Sequence, residues 1–153
     1  MPNYKAHLAV GFLTYVGVIN LIPSHYYATD MIADGLLLCL IGSLFPDVDV
    51  KSNGQKIFYS LLAVLMIHLV MLKAWFWLSL VALMAIVPLL VRHRGIFHNI
   101  LFLLFLGLLF ALGAQCFTYD RMSLILCNSL FFTVGCVSHV LLDRFVSFIK
   151  RLF

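Results

Sequence analysis

Six histidines and six acidic residues carry most of the chemistry this chain can do, and every acid is an aspartate. His139 and Asp143 are four apart in a helical pattern, so they project from one face at neighbouring turns. Such a pair supplies a nitrogen and an oxygen ligand to one ion, or a ligand and the group that orients it; it also serves simply as a hydrogen bond at a helix end. Asp47 and Asp49 flank Val48 directly after Pro46, where a helix must stop. Two carboxylates so close repel unless a cation lies between them or one takes up a proton. Between two apolar runs stands Arg92-His93-Arg94-Gly95-Ile96-Phe97-His98-Asn99, in which Gly95 permits a turn that brings His93 back toward His98. The planar fork of Arg94 suits a phosphate or carboxylate. Arg92 reads as a topological anchor, and His7 opens the first apolar run. Histidine and carboxylate without thiolate suit zinc, manganese or iron.

These polar islands are set in an unusually apolar chain. Of 153 residues, 64% are hydrophobic and 10% charged, and the mean hydropathy is +1.10. A soluble domain is nearer half apolar and a quarter charged, so the excess points to one integral membrane domain over residues 1–153. Met1 to Lys5 carries one basic residue, and no small-residue cleavage site follows, which argues against a cleavable signal. The net charge of +4 lies in loops and bears on orientation, not on nucleic acid. Cys39, Cys116, Cys127 and Cys136 fall inside apolar runs without a C-x-x-C pair and read as buried free thiols.

Apolar runs cover about 7–22, 31–45, 57–72, 74–91, 99–117 and 122 to beyond Asp143. Several fall short of the roughly 20 residues that cross a bilayer core. The pattern predicts an all-α polytopic bundle of about six transmembrane helices, or five if 57–91 does not form two spans. With six, every Lys and Arg except Lys73 and Arg121 lies on one side, which the positive-inside rule makes cytoplasmic, both termini included. The same topology gathers His7, Asp47, Asp49, His93, His98, His139 and Asp143 on that face. His25 and His68 fall at or near the other and read as structural, and Trp75 and Trp77 as interfacial belt residues. Phe145 to Phe153, with Lys150 and Arg151, reads as a helical end lying in the interface.

Four blocks, in order, resemble the YdjM-like family of predicted membrane-bound metal-dependent hydrolases. They are Ala6-His7-Leu8 through Gly11, Gly42-Ser43-Leu44-Phe45-Pro46-Asp47-Val48-Asp49, His93-Arg94-Gly95-Ile96-Phe97-His98-Asn99, and Gly135-Cys136-Val137-Ser138-His139-Val140-Leu141-Leu142-Asp143. The resemblance implies functional roles for His7, Asp47, Asp49, His93, Arg94, His98, His139 and Asp143. Phe97 departs from a Thr or Ser often found there, and Val50 from a His. The His139-x-x-x-Asp143 spacing also resembles that of zinc phospholipase C and related nucleases, an analogy toward phosphoester chemistry.

The function expected is hydrolysis of a phosphoester in a membrane lipid or lipid-linked substrate, at the cytoplasmic face of a bacterial inner membrane. The expected metal ligands are His7, Asp47, Asp49, His93, His98, His139 and Asp143, holding one or two divalent ions, with zinc foremost. Arg94, His93 and Asp49 are the expected catalytic groups: Arg94 against phosphoryl oxygens, a non-ligating histidine as proton donor to the leaving group, and Asp47 or Asp49 as a bridge between ions. Two rivals stand beside this reading. One is a small ion or proton-coupled transporter, which would favour polar residues along a midplane path. The other is a non-catalytic membrane partner protein.

Overall fold

The computed structural model describes residues 3–23, 29–49, 51–90, 96–117 and 122–152. Its regular elements are helical: α1 (Tyr4–Ile19), α2 (Thr29–Leu44), α3 (Asn53–Met71), α4 (Trp75–Leu90), α5 (Ile100–Phe117) and α6 (Met122–Leu152). Each forms on one of the six apolar runs. Local signals set the ends. Pro46 has no N–H to continue α2, and the chain tightens there into a 3-10 turn, Phe45–Asp47. Ser52 caps α3 by accepting from the Gln55 N–H at 3.2 Å. Asn99 caps α5 by accepting from the Leu101 N–H at 2.9 Å.

The run 57–91 resolves into two helices. α3 ends in a Schellman turn, with Ala74 N–H donating to the Leu69 carbonyl at 2.9 Å and Lys73 N–H to that of Val70 at 3.0 Å. Such a turn needs a left-handed residue, and Lys73 supplies it at φ 54°. Hydropathy alone left that break to a single lysine.

α6 is the axis of the bundle, packed against α1, α2 and α5, while α3 and α4 form an antiparallel pair docked on α2. The α2–α6 crossing is the tightest. A Cβ on Gly42 would meet the Phe132 carbonyl oxygen, and a Cβ on Gly135 would meet that of Cys39. Only glycine lets the two backbones approach so closely, as small residues do in membrane helix pairs. Phe45, Phe58, Phe97 and Phe132 fill the core beside this crossing.

Among the described residues, α3 (Asn53–Met71) and the Leu124–Leu152 stretch of α6 are long and apolar enough to cross a membrane. The apolar stretches in Tyr4–Ile19, Trp75–Ile86 and Ile100–Gly113 are shorter. The expected six spans are therefore six helices with two of full spanning length. The helical end expected after Asp143 is present: α6 runs unbroken to Leu152. Among the described residues, Cys39, Cys127 and Cys136 are free thiols, with Cys39 and Cys136 buried and Cys127 half-buried.

Candidate metal centre

Two helices and two turns deliver side chains to one point at the end of the bundle where α2 stops. His7 comes from the first turns of α1, Asp47 from the 3-10 turn after α2, and His139 and Asp143 from successive turns of α6. One potential ligand atom from each of these four lies within 4.8 Å of the others. His98 reaches the same point from the 3-10 turn Ile96–His98. Its Nε2 stands 3.2 Å from Asp47 Oδ1 and 3.8 Å from Asp143 Oδ2.

The α2–α6 crossing sets the orientation of His139. Its Nδ1 lies 2.7 Å from the Ser43 carbonyl oxygen. A carbonyl only accepts, so Nδ1 carries the proton and the neutral ring presents a lone pair at Nε2. That lone pair faces Asp143 Oδ2 at 3.5 Å and Asp47 Oδ2 at 3.6 Å. His7 stacks on His139 with ring centroids 3.8 Å apart and planes 13° from parallel, and its Nε2 is 3.7 Å from Asp143 Oδ1. Both histidines are almost completely buried, at 2% and 1% exposure.

Among the described residues, His7 Nδ1 and Nε2, His139 Nε2 and Asp143 Oδ1 have no hydrogen-bond partner. Buried polar atoms are normally satisfied. Here they are concentrated where acceptors converge, an arrangement that a shared cation would relieve. Protonation of both stacked rings would place two like charges face to face, which is costly in a buried site. Burial pushes the Asp47 carboxyl up, but the facing imidazoles of His139 and His98 outweigh it and hold the group well below the usual carboxylate range.

Phe97 has a structural part. It is buried, packs edge-on to Phe45 at 5.1 Å, and thereby seats the turn bearing His98 against the turn bearing Asp47. Ser138 donates to the Gly135 carbonyl of its own helix at 2.7 Å, away from the cluster. Asp49 is half-buried on the same turn and is not one of the four convergent residues. His93 and Arg94, like Arg92 and His25, lie outside the described residues. His68 sits near the other end of the bundle, 3.4 Å from Asp34. Residue types alone did not reveal the Ser43 carbonyl, because every residue has one; only the helix crossing selects it.

Fold and site together define an all-helical protein with a buried histidine–aspartate cluster at one end of the bundle. No curated protein and no solved structure matches the chain. A family profile does: it covers residues 1–153, and the chain belongs to the YdjM inner membrane protein family. That membership agrees with the apolar composition and the helices of spanning length.

Proposed function

We propose that the chain is a multi-pass inner-membrane hydrolase that holds a divalent metal ion and cleaves a phosphoester in a lipid or lipid-linked substrate. The observation that carries the metal is the orphaned Nε2 of His139, tautomerically fixed by Ser43 and aimed at two carboxylates. His7, Asp47, His139 and Asp143 are the ligands, and His98 stands next to them as a fifth ligand or as the proton donor to a leaving group. Imidazole and carboxylate without thiolate suit zinc, with manganese or iron as substitutes. A divalent ion in this cradle supplies Lewis acidity and an activated water at neutral pH.

The outer surface supports the membrane setting. Leu101, Leu104, Phe105, Leu108, Leu109 and Leu112 stand exposed along α5, at the spacing of one broad helix face. A water-soluble monomer rarely shows so large an apolar surface. Helices shorter than a full span fit the bilayer by local thinning or by packing on longer neighbours. The end bearing the cluster also bears Lys5, Lys51, Lys56 and Arg144, which directs it to the cytoplasm by the positive-inside rule. The cluster sits at a helical end of the bundle, where a headgroup phosphate rather than an acyl chain arrives.

The test is elemental analysis of the purified protein paired with a screen of lipid phosphoesters. Bound zinc, manganese or iron, together with turnover that disappears in His139→Ala, supports the reading. A metal-free protein with no turnover favours a non-catalytic partner, and metal-dependent ion flux in vesicles without hydrolysis favours transport.

A further inference from the structure

A second feature lies away from the histidine cluster. A cavity of about 620 Å³ opens between α2, α3, α4 and α6, a volume within the range that encloses whole small ligands. Asp34, near the start of α2, and Phe45, in the turn that follows it, both line the cavity. At 1.5 Å per helical residue the slot between them is about 16 Å long. A bilayer's hydrocarbon core is about 30 Å thick, so the slot has the depth of one leaflet. Its walls are hydrocarbon and aromatic, with Leu62, Leu65, Met84 and Phe132 among them. None of the five clustered site residues lines it.

The two ends of the slot differ. Phe45 lies at the end nearer the histidine cluster, two residues before Asp47. At the far end, the turn between α3 and α4 brings Lys73, Trp75 and Trp77 to the lining. Asp34 is there too, and His68 already engages it at 3.4 Å. The Lys73 ammonium is outside that pair. Its residue stands exposed on the left-handed turn that closes α3. Tryptophan and lysine settle at the headgroup level of a membrane. This mouth therefore opens where lipid phosphates lie, on the face opposite the histidine cluster.

We infer that this cavity binds a membrane phospholipid, with one acyl chain in the slot toward Phe45 and the phosphate at Lys73. An apolar slot one leaflet deep takes an extended hydrocarbon chain along its whole length. A polar ligand would be desolvated against those walls without compensation, and a compact apolar one would leave part of them without contacts. The Lys73 ammonium is a point charge that suits a phosphate oxygen. Nothing is asked of Asp34, which His68 already holds. The lipid enters from the leaflet opposite the histidine cluster, so it is a resident of the fold and not the substrate proposed above. The inference uses the membrane setting and does not depend on hydrolysis at the other site.

The two tryptophans of the chain both line the cavity, so they report its filling. Full-length protein in detergent is titrated with phosphatidylglycerol carrying brominated acyl chains, and tryptophan quenching is followed. Quenching that saturates near one equivalent, and that the unbrominated lipid reverses, is expected. Leu65→Phe and Met84→Phe each fill the slot from a different wall. Whichever of them keeps the wild-type melting temperature should lose the saturating phase. Brominated diacylglycerol has the same chains without the phosphate and should bind about fivefold more weakly, the scale of one interfacial lysine. Lys73→Gln should weaken phosphatidylglycerol by the same factor and leave diacylglycerol unchanged. Quenching that climbs without saturation, or a saturating phase that survives in a folded slot-filling variant, overturns the site. Equal binding of diacylglycerol, or a Lys73→Gln protein that binds like wild type, overturns the phosphate assignment. A brominated fatty acid that binds more tightly than the phospholipid overturns the choice of lipid.

Discussion

His139 and Ser43 meet across the closest helix crossing in the bundle, with the ring Nδ1–H donating to the backbone carbonyl at 2.7 Å. The contact fixes which nitrogen of His139 is free and where it points. A side chain so placed needs a backbone acceptor at one fixed distance. Gly42 and Gly135 provide that distance by letting α2 and α6 touch.

His139→Ala removes a proposed ligand and a ring whose tautomer the fold dictates. Loss of an orienting partner alone costs about 10–100-fold in metal affinity, and loss of the ligand itself should exceed that. Competition against a chromophoric chelator measures it. An unchanged affinity would remove His139 from the ligand set.

Acid should empty the site. Asp47 has its carboxyl held below the usual range, so it remains charged while protons compete with the metal for the imidazole nitrogens. The metal should therefore leave as pH falls, by loss of nitrogen ligands before loss of the Asp47 carboxylate. The Asp47 contribution to folding runs separately: its lowered value stabilises the fold above the ordinary carboxylate range near pH ~4, and this is lost as pH falls through the folded value. Metal content after dialysis across pH shows the first effect, and acid unfolding of Asp47→Asn against wild type shows the second.

Gly42→Ala places a methyl against the Phe132 carbonyl, which cannot swing away as a side-chain tip can. Overpacking of this kind costs about 1–3 kcal/mol. By moving α2 from α6 it should also lower metal affinity. Gly17→Ala, on α1 where an added Cβ meets nothing within 4 Å, should stabilise by about 0.5–1 kcal/mol. Thermal unfolding in detergent compares the two.

Lys73→Gly should raise stability by about 0.5–1 kcal/mol, because the left-handed turn penalises a side chain and suits glycine. A lower melting temperature would show that the lysine side chain contributes more than its backbone costs.

Much of the helical layout was legible. Each apolar run became a helix, and Pro46 and Lys73 marked real breaks because one lacks an N–H and the other interrupts hydropathy. The gathering of His7, Asp47, His98, His139 and Asp143 also followed from charge asymmetry and helical spacing. Other features depend on geometry that residue types do not encode. Asp47 and Asp49 are equivalent on paper, and the tight turn that enrols the first came only with the structure. Span lengths were legible only as apolar runs, since short helices in a bundle rely on neighbours. Asp34 and His68 lie far apart in the chain, and only the packing of α3 on α2 makes them a pair.

The five clustered side chains come from the first helix, the last helix and two turns between. During synthesis the N-terminal parts emerge first, so His7 and Asp47 wait at the membrane until α6 arrives beside them. No nascent chain that lacks its final helix can bring these groups together. Assembly of the cluster is thus a closing event in biogenesis, and a half-made protein lacks the complete cluster.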